Sequence, residues 1–291
     1  MISYNPKEWF GIFRLHKADT FRKLLSLILF ICAYTCLIAY LEIEYFHLPS
    51  NSLIKNMPVL HSLLGFAISM LLVFRTNTAY DRWWEGRKQW GALVNNSRNL
   101  SLKLSVMLSA HPAERSFFAA LIPRFGVELM HHLRSAITRL EMDEQPHPEI
   151  PDFDTSRHVP VQVAGLIYQR IQQLQDQKIL SAEQLLVLNP ELMSFMDICG
   201  ACERIRNTPI PYSYSAFIKK FIFVYVITMP FGFAFSLGYI SVFVVALIFY
   251  VLASLELIAE EIEEPFGIDE NDLPMPRLCH AIDKTVKEIL S

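Results

Sequence analysis

The chain has 291 residues, of which 52% are hydrophobic and 19% are charged. This composition is too apolar for an ordinary soluble protein and too charged for one made only of membrane spans, so it indicates a membrane part joined to a sizeable aqueous part. The formal net charge of −3 lacks the basic excess that nucleic-acid binding requires, so we expect no nucleic-acid partner.

Uncharged runs of membrane-spanning length follow one another along the chain. Residues 24–41 and 57–74 each contain 18 residues without a charge, or roughly 27 Å of helix. Residues 221–255 contain 35 such residues, roughly 52 Å, which is too long for one crossing of a hydrocarbon core about 30 Å thick. We expect a break at residues 236–239 and a kink at Pro230. The pattern predicts four transmembrane helices.

Lysine and arginine gather at one end of these predicted spans. They precede the first and third spans and follow the second, whereas the loop at 42–56 holds only Lys55. The positive-inside rule then places both termini and the central region in the cytoplasm. We predict a multi-pass protein of the inner (plasma) membrane, with four segments: 1–75 (helices 1 and 2), 76–218 (a cytoplasmic helical region), 219–256 (helices 3 and 4) and 257–291 (a C-terminal cytoplasmic segment).

The central region is helical by pattern. Apolar residues recur every three or four positions, and β-strand alternation is not found in the sequence. The helix that begins in the second span is expected to continue to His111-Pro112. Further helices are predicted at 117–140, 161–177 and 181–205, with a loop rich in Pro, Asp and Glu at 141–160.

Two motifs have the spacing of chemical sites. Glu128 and His131 form an ExxH pattern, as in di-iron bundles, but such a site needs matching carboxylates on partner helices, and no second ExxH lies within another predicted helix. Cys199 and Cys202 form a CxxC on a predicted helix, without the second ligand pair that a zinc site requires. We therefore predict no catalytic residue, no metal site and no enzyme, and keep a membrane-anchored metalloprotein using Glu128 and His131 as an alternative.

Large apolar side chains recur every four residues along the second span, at Phe66, Met70 and Phe74. This spacing puts them on one helix face. The face either contacts lipid or other helices, or forms a hydrophobic constriction when several copies of the helix surround an axis. The second interpretation requires an oligomer, because one four-span chain is too small to enclose a pore.

Acidic residues follow the fourth span. Four of them lie on adjoining helical positions from Glu256 to Glu264, where they can pair with the arginines that follow the second span. Asp269 to Asp272 then form an oxygen-rich loop that lacks the full pattern of a calcium-binding loop.

Three motifs in this order resemble the prokaryotic branch of the bestrophin family. They are LLGFAISMLLVFRTNTAYDRWWEGRKQWG, CERIRNTPIPYSY (Cys202 to Tyr214) and EEIEEPFGIDENDLPMP (Glu260 to Pro276). The similarity extends from near residue 8 to residue 290. It implies an all-α homopentameric ion channel in the lipid bilayer, with four membrane helices per subunit, a large helical cytoplasmic region and one axial pore.

The resemblance also implies roles for individual residues. The pore neck falls on Phe66, Met70 and Phe74, and the cytoplasmic aperture falls near Glu183, or near Leu185 or Leu186 if the alignment is shifted. Family members are best known as chloride channels, although some prokaryotic relatives pass monovalent cations, which a ring of glutamates would favour.

The calcium clasp of animal members is matched in kind only by Asp269 and Asp272, because Ile268 stands where the animal acidic cluster begins. We expect at most a weak cation site there and no cofactor. A membrane carrier and a non-conducting scaffold are the remaining alternatives to a channel.

Overall fold

The computed structural model describes residues 20–45, 57–134, 149–150 and 153–291. All regular elements within these ranges are helical, as the periodicity predicts. In chain order they are α1 (Thr20–Tyr40, continued by a π-helical turn at Leu41–Tyr45), α2 (Met57–Met107), α3 (Pro112–Leu133), α4 (Val159–Asp176), α5 (Ala182–Asn207), α6 (Tyr212–Thr228), α7 (Pro230–Leu237), α8 (Ile240–Glu263) and α9 (Met275–Leu290).

The helices form two hydrophobic cores. One, which we call the membrane bundle, joins α1, the first part of α2, α6, α7 and α8 through residues such as Ile68, Leu72 and Val245. The other, which we call the helical body, joins the rest of α2 to α3, α4, α5 and α9 around Trp90 and Phe125. The split agrees with the composition, which predicts a membrane part and an aqueous part.

Helix α2 belongs to both cores. Its 51 residues extend over roughly 76 Å at 1.5 Å per residue, more than twice the thickness of a hydrocarbon core. It ends at Met107, just before His111-Pro112, where the proline ring would clash with a preceding turn. A single rigid element therefore connects the predicted membrane neck to the helical body.

The long apolar run at 221–255 is broken where the sequence predicts. Helix α6 ends at Thr228 and α7 begins at Pro230. Gly238 then ends α7 with a φ of 56°, a left-handed conformation that glycine adopts without steric cost. The prediction of two shorter apolar helices after residue 220 is confirmed, and so is the predicted kink at Pro230, where α7 follows α6.

Two features differ from the sequence-based expectation. Helix α3 ends at Leu133, with Arg134 as its C-cap, and residues 135–148 lie outside the described part of the chain. Helix α9 was not predicted, although its buried residues recur at helical spacing from Met275 to Leu290 and its first turn begins after Pro274.

Five of the described helices are long and apolar enough to cross a membrane. Four correspond to the predicted spans, if α6 and α7 are taken together. The other is α5, but its buried residues Leu188, Leu192 and Phe195 pack into the core of the helical body. Length and composition therefore make α5 a candidate span, whereas its packing assigns it to the helical body.

Candidate ion pathway and neighbouring sites

The predicted neck residues lie on an exposed stripe of α2. Phe66, Met70 and Phe74 are 73%, 50% and 53% exposed, whereas Ile68 and Leu72 on the opposite face are buried in the membrane bundle. The 3.6-residue period of the helix separates the two faces. The structure places the three side chains together, on the surface that the fold of one chain leaves uncovered.

Close contacts fix the rotation of α2. Tyr225 donates a hydrogen bond to the backbone oxygen of His61 at 3.2 Å, and its hydroxyl would lie 2.8 Å from a Cβ at Gly65. The ring of His61 in turn contacts the Thr228 hydroxyl at 3.1 Å. Because Gly65 lets α6 approach this face so closely, the adjacent Phe66 is directed away from the bundle.

Exposure alone does not identify a pore, because α8 has a comparable stripe. Phe243, Leu247 and Val251 on α8 also recur every four residues and are also exposed. The two stripes differ in how they continue. The stripe on α2 extends beyond Phe74 along the same helix over exposed residues that are polar or aromatic except for the last, which are Asn77, Tyr80, Asp81, Trp84, Lys88, Asn95, Arg98 and Leu102. Only the α2 stripe therefore forms a continuous surface from the membrane bundle along the helical body.

Immediately after Phe74, a buried arginine joins α2 to α8. Arg75 is 1% exposed and donates a hydrogen bond to Glu263 at 2.6 Å, and its Nε lies 3.6 Å from a carboxylate oxygen of Glu256. Arg82 donates to the backbone oxygen of Glu263 at 3.0 Å. The prediction that arginines after the second span pair with the acidic string is confirmed for Arg75, whereas Arg82 contacts the backbone of the same string.

Further ion pairs lie at this same end of the membrane bundle. Lys23, at the start of α1, pairs with Glu261 near the end of α8, and Lys219 on α6 pairs with Glu260 at 2.8 Å. Three of the basic residues that indicate the orientation, Lys23, Arg75 and Lys219, are thus paired with the acidic end of α8. We call this set of pairs, together with those of Arg75, the charged belt.

The three tryptophans of α2, Trp83, Trp84 and Trp90, have different environments. Trp83 donates its indole N–H to the backbone oxygen of Asn271 at 3.0 Å, so it ties α2 to the loop before α9. Trp90 is fully buried in the helical body, and Trp84 is exposed on the stripe. Of the three, Trp84 is thus the one placed to contact a neighbouring molecule or the ion pathway.

Glu183 lies in the first turn of α5 and is exposed. A hydrogen bond with Ser181 lowers the pKa of its carboxyl. Leu186, one turn further, is also exposed, whereas Leu185 packs against the helical body. Of the three aperture candidates, Glu183 and Leu186 are therefore available to line an opening.

Asp269 and Asp272 hold the loop between α8 and α9. Asp272 is buried and its Oδ2 accepts a hydrogen bond from the backbone N–H of Asp269 at 2.6 Å. A Cβ at Gly267 would lie 2.6 Å from the same oxygen, so only glycine leaves room for this carboxyl. Desolvation raises the pKa of Asp272 to about 7. The Oδ2 atom of Asp272 thus shapes the loop through this hydrogen bond. The side chain of Asp269 is exposed.

The ExxH pair does not assemble a metal site. Glu128 is paired with Arg124 one turn earlier at 2.8 Å. Cys199 and Cys202 are buried in the helical body, and desolvation raises the pKa of the Cys199 thiol to about 12, which makes it unreactive. The metalloprotein alternative built on Glu128 and His131 therefore finds no support in this geometry.

A different cluster does bring metal-type ligands together. His132, His158 and Glu203 place their ligand atoms within 4.8 Å of one another. Both histidines contact Glu203, and these hydrogen bonds, which outweigh desolvation, lower the pKa of its carboxyl. Sequence reasoning missed the cluster because it chose His131 by spacing, and no local pattern connects His132 to residues 26 and 71 positions further along.

The sequence as a whole matches one family. Residues 1–288 match the family described as bacterial/fungal bestrophin protein. The chain belongs to the bestrophin family. The resemblance seen in the three motifs is thereby confirmed over almost the whole chain.

Relatives of this bestrophin are named as channel-forming proteins. A voltage-dependent anion channel-forming protein from Nostoc sp. is 36% identical over 250 residues, which cover 81% of this chain and 79% of that protein. One of the same description from Escherichia coli K12 is 32% identical over 229 residues, covering 76% and 73%. These names are consistent with the prediction that this bestrophin is not an enzyme.

Solved structures agree with the family assignment. A bacterial bestrophin homologue from Klebsiella pneumoniae superposes with a TM-score of 0.80 at 27% identity, covering 92% of this chain and 99% of that one. This bestrophin is therefore an all-helical membrane protein with the same fold.

Proposed function

We propose that this chain forms a bestrophin-type ion channel in which five copies surround one axial pore. Each copy would contribute four membrane spans: α1, the first part of α2, α6 with α7, and α8. The observation that carries the proposal is the continuous exposed stripe on α2, which begins with Phe66, Met70 and Phe74 and follows the helical body. The names of the relatives support conduction of anions.

The mechanism follows from the chemistry of the stripe. Rings of phenylalanine and methionine around an axis would form a dry constriction, where an ion must shed water that apolar side chains cannot replace. A small change in the tilt of α2 would widen the rings and admit water. The charged belt would hold α2 at the membrane surface where its apolar part ends, since Arg75 connects it to α8 directly after Phe74.

The proposed orientation places the charged belt, the helical body and both termini in the cytoplasm. Six basic residues described at this end of the bundle support it by the positive-inside rule; they are Arg22, Lys23, Arg75, Arg82, Lys219 and Lys220. The proposed compartment is the inner (plasma) membrane.

A cation-permeable pore is the second candidate, favoured by the exposed carboxylate of Glu183 at the start of α5. Five such carboxylates around an aperture would attract cations and repel anions. Leu186, exposed one turn further along, would instead form an apolar ring.

The decisive experiment is electrical. The purified protein would be reconstituted in planar bilayers under a potassium chloride gradient, and the reversal potential would be measured for the wild type, Glu183→Gln and Leu186→Ala. We expect a steady current whose reversal potential has the sign of anion preference, and a shift in Glu183→Gln if Glu183 lines the aperture. Absence of current under all voltages would refute the channel, and transport without steady current would indicate a carrier.

We also propose that calcium is not a gating ligand. A calcium site needs six to eight oxygen ligands, whereas Asp272 uses one oxygen in the loop and Asp269 is exposed. Titration of calcium into the purified channel should produce neither binding heat in the micromolar range nor a change in current. Tight binding that is lost in Asp272→Asn would refute this.

A further inference from the structure

The cluster of His132, His158 and Glu203 lies in the helical body, on three separate elements. His132 is in the last turn of α3, His158 is the N-cap of α4, and Glu203 is near the end of α5. The Nε2 atoms of both histidines lie 2.6 Å from the same carboxylate oxygen, Oε1 of Glu203. The imidazole centroids are 4.2 Å apart.

Contacts outside the cluster hold the helix ends that carry His132 and Glu203. Arg206 donates to the backbone oxygen of His132 at 2.8 Å, which ties the end of α3 to α5. Arg82 on α2 donates to the backbone oxygen of Ile205, two residues after Glu203 on the same helix, at 2.7 Å. The three ligand atoms are therefore brought together by the packing of the helical body, and a ligand would find them already assembled.

The side chains are neither buried nor fully solvated. His132, His158 and Glu203 are 27%, 34% and 29% exposed. A bound ion would therefore have three protein ligands on one side and access to solvent on the other. This is the arrangement of zinc sites that keep an open coordination position.

We propose that His132, His158 and Glu203 bind one divalent transition-metal ion of the zinc class, with water in the remaining position. Two imidazole nitrogens and one carboxylate oxygen suit zinc, whereas calcium and magnesium prefer sites made of oxygen alone. At metal–ligand distances of about 2.0–2.2 Å, tetrahedral ligand atoms lie about 3.3 Å apart. The nitrogen–oxygen distances of 2.6 Å would lengthen by about 0.7 Å, an adjustment within reach of side-chain rotation.

Binding has one identifiable cost. His158 Nδ1 accepts a hydrogen bond from the backbone N–H of Val161, so in the neutral ring the proton is on Nε2, facing Glu203. A metal at Nε2 displaces that proton. The ring then carries its proton on Nδ1, which can no longer accept the hydrogen bond from the Val161 N–H. That hydrogen bond is 3.3 Å long, beyond the usual range, so little is lost.

The test uses full-length protein in detergent, purified without a polyhistidine tag and stripped with a chelator. Zinc alone would be added, and bound metal and melting temperature would be measured after desalting. We expect one zinc per chain and a raised melting temperature, and a tetrahedral visible spectrum when cobalt replaces zinc. His132→Gln with His158→Gln should weaken zinc binding by about a hundredfold or more, whereas the control His280→Gln, an exposed histidine on α9, should bind as the wild type does.

Two results would overturn the proposal: no zinc retained by the wild type, or equal retention by the double variant. Because the double variant could fail to fold, Glu203→Gln provides a second test, and each variant must elute at the wild-type oligomer size. The cobalt spectrum of the wild type is independent of every variant, and an octahedral spectrum would also overturn the site. These readouts do not involve conduction, so their failure would leave the channel proposal unchanged.

Discussion

At the scale of single residues, the buried carboxyl of Asp272 shows how local chemistry shapes a loop. Its Oδ2 accepts the backbone N–H of Asp269, in space that the missing side chain of Gly267 leaves open. The same burial raises the pKa of Asp272 from 3.8 to about 7. This carboxyl therefore makes stability depend on pH.

The sign follows from proton binding. Between about pH 4 and pH 7 the unfolded chain has lost the Asp272 proton while the folded protein keeps it, so the folded state loses stability as pH rises through this window. Asp272→Asn removes the titration. Between about pH 4 and pH 7, we expect the free energy of unfolding of the wild type to fall by roughly 1–4 kcal/mol relative to that of the variant, at about 1.36 kcal/mol per pKa unit.

Thermal unfolding in detergent at a series of pH values measures this difference. Glu288→Gln, a change at an exposed carboxyl on α9, is the matched control and should follow the wild-type profile. Parallel profiles for Asp272→Asn and the wild type would contradict the assignment.

At the scale of helices, Arg75 couples the neck to α8. The buried guanidinium contacts Glu263 at 2.6 Å and Glu256 at 3.6 Å. Removing the arginine would leave two carboxylates with low exposure and no cation, and breaking a buried pair in this way costs about 3–5 kcal/mol.

We therefore expect Arg75→Met to lower the melting temperature strongly. The matched control is Lys219→Met, which removes the exposed pair with Glu260 and should cost about 1 kcal/mol or less. Adding Glu263→Gln to Arg75→Met should restore part of the lost stability. A mild effect of Arg75→Met, equal to that of Lys219→Met, would show that the pair does not couple the helices.

The same scale separates the two exposed stripes. Replacing Phe66, Met70 and Phe74 together by alanine should raise single-channel conductance several-fold and increase leak, since the dry constriction becomes wider. Bilayer recordings measure both quantities.

The stripe on α8 provides the control. Phe243, Leu247 and Val251 have the same spacing and exposure, so replacing them together by alanine removes similar apolar surface from the membrane bundle. This variant should conduct as the wild type does. Increased conductance in the α8 variant but not in the α2 variant would contradict the proposal, because it would show that α8 and not α2 lines the pore.

At the scale of the whole molecule, the stripe proposed to line the pathway lies on the outer surface of one chain. The large apolar residues that it exposes along α2 need partners, and the proposed partners are four further copies. Native mass spectrometry should give an assembly of about five times the chain mass of 33.6 kDa. A monomer that conducts, or a stable dimer, would contradict the proposed architecture.

The sequence by itself determined the membrane part and its divisions. The uncharged runs, the breaks at Pro230 and Gly238 and the long second helix could all be predicted, because each depends on local chemistry: absence of charge, a missing N–H or a left-handed turn. The family could be predicted from the ordered motifs. The neck residues could be placed on one face, since helical spacing alone decides that.

Only the tertiary structure decided which surfaces meet. It showed that α5 packs into the helical body although it is apolar enough for a span, and that Arg75 lies against Glu263, 188 positions away. It also brought His132 to His158 and Glu203, where spacing had pointed to His131. These pairings depend on how whole helices pack, and helix packing joins residues that have no relation in sequence.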